Sequence, residues 1–534
     1  MGRRAISCAL VFIAQYAPAQ TAPSDEAAPT FSAATRLVEV DVVARSNGAH
    51  ATGLTKEDFT LLDNGKPQKI SVFSVKAGRT SGPASGPASG PAAGPSAAPL
   101  PAGAVSNRLE HTGESSSNAT VLLIDQVNTP VAAQAYAIPR VVKFLQMHRP
   151  GDRIGVYTFS GDGLRAVKEI TDDAELLSRA ARSLKARDRR QRSHDTTGMT
   201  AHAAADYEAL ETTESAVGFR DVLKEVARHL AKVPGRKSLI WVTNSFPLFI
   251  PPPPAPPILD FRKEMEDAAR ALNDANVALY AVDARGLQGA LDGLTPIQNA
   301  EFKGPQTPAQ LRQQMHRGEP ISPDGLLTEQ FLADLTGGLA LYNKSNAIQE
   351  SIQAAQDDGE LTYTLGFYPA PEAQDGASRN LHDLKVEVRK PGVSVRYRKN
   401  YFERASPPSL ETLLKDPLNA TQLELVAETM PDPAQPGSRQ VRVTVDLRDV
   451  QLERRNDTWV GAVDVSFMIE GSRTAGTITT KVTIPDKGVA AALEKGIVVN
   501  HSVDVGGQTG VLRIVAQDRA TGAAGSIRVP LGKR

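Results

Sequence analysis

The stretch Thr120–Pro130, TVLLIDQVNTP, constrains the chain most. Four consecutive apolar residues, Val121, Leu122, Leu123 and Ile124, stop abruptly at Asp125. A short apolar run without polar alternation predicts a strand buried on both faces, as in the middle of a parallel sheet. A polar turn follows, and after Pro130 a helical segment runs to His148, started or bent at Pro139. An acidic residue at the carboxyl end of such a strand stands where open α/β sheets bind ligands. The alternative is that Asp125 only caps the following turn or helix, a position Asp and Asn favour.

Strand and helix patterns then alternate. Strands are expected at Arg153–Ser160, Leu164–Ile170, Ser238–Thr243, Val277–Asp283 and Leu339–Tyr342. Helices are expected at Asp172–Leu184, Arg220–Val233, Phe261–Asn276, Thr328–Leu335 and Ala347–Asp357. This alternation argues for a doubly wound, Rossmann-like α/β domain over residues 119–358. Two insertions interrupt it. Lys185–Thr213 carries a basic run (Arg187, Arg189, Arg190, Arg192) that reads as a solvated face, and Pro251–Pro257 reads as a polyproline II spacer.

The flanks have strand periodicity. Residues 31–76 hold strands at Arg36–Ala44, Phe59–Leu62 and Lys69–Val75, the last two joined by an Asn64-Gly65 turn. Residues 359–403 hold three more, at Leu361–Tyr368, Asp383–Arg389 and Val393–Arg398. Either set is a thin core alone, so the two are expected to form one sandwich with the α/β domain inserted. Residues 77–118, with Gly-Pro recurring, read as a linker without order through Asn118. Residues 409–534 contain seven strand candidates, from Leu423–Glu428 to Ser526–Pro530, with turn signals between them. That pattern fits an immunoglobulin-like β-sandwich. Residues 1–19 read as a signal peptide: Arg3 and Arg4, an apolar Ala5–Ala14, then Ala17-Pro18-Ala19. The single cysteine, Cys8, lies within it, so the expected mature chain has no thiol chemistry. The apolar run is too short to span a bilayer, and the expectation is an exported, periplasmic or extracellular protein that does not span the membrane.

The order of these elements and the Asp125 turn resemble a von Willebrand factor A-type domain. GLTKEDFTLLDNGKPQKISVF (Gly53–Phe73), PGRKSLIWVTNSF (Pro234–Phe246), LYAVDARGL (Leu279–Leu287) and the Leu361–Phe402 blocks are similar to the acidobacterial VWFA-related family of exported proteins. The resemblance covers residues 31–403. It implies a metal-ion-dependent adhesion site, in which Asp-x-Ser-x-Ser oxygens hold a hard divalent cation such as Mg²⁺. Here the motif is Asp125-Gln126-Val127-Asn128-Thr129. Asp125 and Thr129 match ligand positions, Val127 offers no oxygen, and the distal aspartate falls on or near Asn244. Thr196, Thr197 and Thr213 are candidates for the loop threonine. The implied site is degenerate, and any divalent cation is weakly held.

Equal numbers of basic and acidic residues, 60 each, argue against nucleic acid, as does an aromatic content of 5%. There is no Gly-x-Ser-x-Gly elbow, Walker loop or His-Glu-x-x-His. His194, Asp195 and His202 are close in sequence but lack zinc-site spacing. The expected function is therefore non-enzymatic: adhesion-like or scaffold binding of a protein partner through a face made of Asp125, Asn128, Thr129, Asn244 and Asp283. The alternatives are an extracytoplasmic hydrolase or hydrolase accessory, and a binder of anionic envelope polysaccharide.

Overall fold

A computed structural model describes residues 37–77, 100, 103–108, 119–147, 152–187, 200–233, 235–244, 248–250, 259–284, 326–341, 348–369, 381–402, 407–435, 437–472, 475–505 and 510–531. The expected signal segment, His194, Asp195, Thr196, Thr197, Arg189, Arg190, Arg192 and the Pro251–Pro257 run lie outside the described residues.

The chain is mixed α/β, with its helices concentrated in the middle and β-sheets on either side. In the middle, Ala119–Asp125 is buried at every position. It pairs in parallel with Lys237–Thr243 on one side and Arg153–Ser160 on the other. Val277–Asp283 and Leu339–Leu341 continue the parallel sheet, and Gly163–Thr171 closes the far edge antiparallel. Alternate residues point to opposite faces, and each face is covered. Val121, Leu123, Leu239, Trp241 and Leu279 pack with Phe219, Leu223, Val226, Met265 and Leu272. Leu122, Ile124, Ile240, Tyr280 and Val282 pack with Val141, Phe144, Leu145, Leu177 and Ile352. A run apolar on both faces belongs in such a two-sided burial, because either face left open would expose Leu and Val to water.

Local chemistry sets the helices. Asp173 caps Ala174–Ser183, accepting from the Glu175 and Leu176 amides at 2.8 and 3.1 Å. The helix Val131–Gln146 contains Pro139 internally, which omits one rung of its ladder. The helix ending at Leu230 begins at Ala201, well before the expected Arg220, with Thr200 accepting from the Ala203 amide. Half of the expected insertion is therefore helix, and its Ala- and Glu-rich composition is the reason. After Leu326–Thr336, Gly338 lets two backbones meet: a Cβ there would lie 1.8 Å from the Leu279 carbonyl oxygen.

Strands from the two flanks of this unit pair with each other. Val38–Ser46 lies between Leu361–Phe367 and Val393–Arg396, and Phe59–Asp63 pairs with Leu381–Val388. The two sheets enclose Val40, Val42, Phe59, Leu61, Tyr363, Leu365, Phe367 and Val386. Polar bonds join them to the α/β unit. Asp358, almost fully buried, takes Arg45 at 2.7 Å and also Arg396, while Asn276 donates to Asp41 at 2.9 Å.

The C-terminal residues form two further sheets around Leu425, Val443, Val465, Ile514 and Ile527. One is ordered Ile497–Asp504, Ser438–Val445, Leu425–Pro431 and Val105–Ser106. The last strand corrects the reading of 77–118 as a linker throughout. Val105 packs against the C-terminal core, and its backbone completes the sheet edge. This unit docks on the helix Ala201–Leu230 through the segment 416–421. Arg228 donates to Asp416 at 2.6 Å, the Leu418 amide donates to Glu225 at 2.6 Å, and Leu418 enters the α/β core.

Candidate functional site

The carboxyl ends of the parallel strands converge at Asp125, which is 0% exposed. Its Oδ1 accepts from the amides of Val127 at 3.1 Å and Asn128 at 2.9 Å. Its Oδ2 accepts from Asn128 Nδ2 at 2.8 Å, Trp241 Nε1 at 3.1 Å and Thr243 Oγ1 at 3.0 Å. Burial pushes this carboxyl up from the ordinary carboxylate value, against the downward pull of the bonds from Asn128, Trp241 and Thr243. The neighbouring strand supplies two of the donors because register sets Trp241 opposite Leu123, which places Thr243 beside Asp125.

Thr129, 3% exposed, is similarly occupied: its Oγ1 accepts from the Asn244 amide at 3.0 Å. Asn244 itself is half-buried, and its Oδ1 has no hydrogen-bond partner among the described residues. Asp283 is buried at the end of its strand, and the next residue, Ala284, donates its amide to the Thr243 carbonyl at 2.8 Å. Thr213 lies in the helix Ala201–Leu230, as does His202.

Two side chains that sequence reasoning passed over complete the floor of this face. Gln126 and Gln134, 4% and 1% exposed, bond to each other at 3.0 Å. Gln126 Nε2 donates to the Lys185 carbonyl at 2.7 Å, and Gln134 Nε2 to the carbonyls of Thr129 at 2.7 Å and Arg187 at 3.0 Å. Gln134 Oε1 accepts from the Arg187 amide at 3.0 Å. Together they staple the backbone of 185–187 across the top of the Asp125 strand. No sequence pattern marks them, because their partners are backbone groups of distant residues.

A hard cation needs several oxygens with free lone pairs. Two carboxylate oxygens offer roughly four acceptor sites, and the Asp125 pair already meets five protein donors. Val127 contributes no oxygen, and the Thr129 hydroxyl is already an acceptor. With the Asp125 oxygens taken up by protein donors and no side-chain oxygen on Val127, this set is poorly suited to a divalent cation, which the sequence led one to expect only weakly held at Asp125 and Thr129. Among the described residues, no group of three or more His, Cys, Asp and Glu is arranged as a metal site. Of the five residues expected to form a partner face, Asp125, Thr129 and Asp283 are buried. Asp125 accepts from Asn128 and Thr129 from the Asn244 amide, so these two buried side chains hold Asn128 and Asn244, which are half-buried.

Elsewhere, His382 Nδ1 lies 2.9 Å from Asp63, and Tyr401 donates to Asp63 at 2.7 Å. All three are buried in the sandwich. Among the described residues, no helix is long and apolar enough to cross a membrane.

No family model matches the chain, and no curated protein matches it. Among solved structures it is similar to the SpRpn10 VWA domain, at 14% identity over 35% of this chain and 98% of that one, with a TM-score of 0.17. It is similar to the TFIIH p34 N-terminal domain at 12% identity, over 43% and 93%, with a TM-score of 0.20. It is also similar to the pilus adhesin SpaC from Lactobacillus rhamnosus GG at 13% identity, over 77% and 56%, with a TM-score of 0.24. Scores this low carry no argument about function.

Proposed function

We propose that this is an exported, non-enzymatic binding protein of the von Willebrand factor A type. Its α/β unit captures a protein partner at the carboxyl ends of its strands without using a metal ion. The observation that carries this reading is the enclosure of Asp125 by Trp241, Thr243, Asn128 and the Val127 amide. Internal donors take up the carboxylate oxygens that a cation would need. The face is left with polar rim groups, Asn128 and Asn244, on a floor fixed by Gln126 and Gln134. Open α/β sheets bind ligands at this end.

The test is site-specific photo-crosslinking in the producing cell, from Asn128 and, as a control, from Lys66 in the distant sandwich. Support is one protein adduct from Asn128 alone, of unchanged yield in a chelator. Adducts of equal yield from both positions, or loss of the Asn128 adduct on chelation, would count against the proposal.

A further inference from the structure

The amino ends of the parallel strands, at the far end of the sheet from Asp125, carry a second concave place. Where the start of the Val38–Ser46 strand meets the end of the Arg262–Asp274 helix, a cleft of about 220 Å³ opens. Glu39 and Asp274, both exposed, and the half-buried Arg398 supply its charges. Leu37, Val38 and Tyr401 supply an apolar wall. Arg398 is fixed in place: its Nη1 donates to the Asn273 carbonyl at 3.2 Å and its Nη2 to the Glu39 carbonyl at 2.5 Å.

A recess of about 10 Å³ shares Arg398, Asn273 and Asn276 with this cleft and reaches Arg236 and Asp41. Arg236 is 4% exposed. Its Nη2 donates to the Gly337 carbonyl at 2.7 Å, while its Nε has no hydrogen-bond partner among the described residues. The nearby Asp41 oxygens accept from Thr364 and Asn276 instead. A buried charged donor left unmatched costs free energy, and the recess has room for about one oxygen atom. An acceptor oxygen at the inner end of the cleft satisfies it.

Charge decides the class of ligand. An anion meets the guanidinium groups of Arg398 and Arg236 but also the carboxylates of Glu39 and Asp274, and a cation meets the reverse. A zwitterion sets each of its charges against the opposite one, its carboxylate inward and its ammonium at the mouth. At about 30 Å³ per water the cleft has room for about seven waters, a space comparable with a free amino acid. We propose that this cleft binds a small apolar α-amino acid. Its carboxylate faces Arg398 and offers an oxygen to Arg236 Nε, its ammonium lies between Glu39 and Asp274, and its side chain lies on Leu37, Val38 and Tyr401.

Calorimetric titration of the full chain tests this, with L-leucine as the probe and isocaproate and isoamylamine as its single-charge counterparts. L-Leucine should give a saturable heat, and each counterpart should bind at least tenfold more weakly. The double variant Glu39→Gln, Asp274→Asn changes two exposed positions, so its thermal unfolding midpoint should stay that of the original chain while leucine binds at least tenfold more weakly. Arg236→Lys, which removes the inner N–H, should weaken leucine and isocaproate alike. If that variant fails to fold, the acidic pair and the two counterparts decide. No saturable heat with L-leucine, which leaves only water at Arg236, overturns the proposal. So does equal affinity for isocaproate, or an acidic-pair variant that binds leucine as the original chain does.

Discussion

Glu225 is the clearest case in which burial should become a pH dependence. It is 6% exposed on the helix Ala201–Leu230, where its Oε1 accepts from the Leu418 amide at 2.6 Å. Burial pushes its carboxyl up to about 8, with the nearby Asp416 charge adding to the effect. The native state therefore holds a proton that the unfolded chain releases near the ordinary glutamate value. Stability from this group is fully present below about pH 4.5 and is lost as pH rises to about 8. At about 1.4 kcal/mol per pH unit the window corresponds to about 5 kcal/mol at most, and relaxation around Glu225 will reduce it. Glu225→Gln keeps the acceptor for Leu418 and removes the ionisation. The measurement is urea unfolding from pH 5 to pH 8, followed by the fluorescence of Trp241 and Trp459, the only two tryptophans. The original chain should lose a few kcal/mol relative to the glutamine variant across that range. Parallel pH profiles for the two proteins would refute the reasoning.

Other outcomes follow from the same kind of argument. Asp125→Ala removes the buried acceptor of the Trp241 indole N–H and the Thr243 hydroxyl, at a cost of about 1–3 kcal/mol. Unfolding read from Trp241 in a Trp459→Phe background should show that loss in chelator-treated buffer. Burial pulls Lys237 down to about 8, with its Nζ donating to the Val233 carbonyl at 2.7 Å. Because this depressed base is neutral in the fold and charged when unfolded, stability should rise from pH 8 to about 10.5, and Lys237→Met should flatten that rise in the same unfolding assay. Gly338→Ala drives a methyl group into the Leu279 carbonyl, so the variant should melt several degrees lower by calorimetry.

What the residues alone disclosed follows their physics. The Val121–Ile124 run ending in Asp125 was legible as a buried strand because burial on both faces leaves no polar alternation. The seven C-terminal strands were legible as short apolar-rich runs with turn signals between them, and the observed bounds differ by a few residues. The fate of the Asp125 oxygens was not legible. Their donors Trp241 and Thr243 arrive by strand register, 116 and 118 positions away in sequence. The Gln126–Gln134 staple was hidden because its partners are backbone groups of Lys185 and Arg187. Val105–Arg108 passed for linker because four residues carry no periodicity.

The central claim, a binding face whose aspartate is held by protein donors rather than by a cation, is tested most directly by calorimetric titration. Mg²⁺, Mn²⁺ and Ca²⁺ would be added in turn to the full chain and to Asp125→Ala. Because five donors already meet the carboxylate, no saturable heat should appear with any of the three ions in either protein. Micromolar binding by the original chain, absent from Asp125→Ala, would contradict the account and return the face to metal-bridged capture.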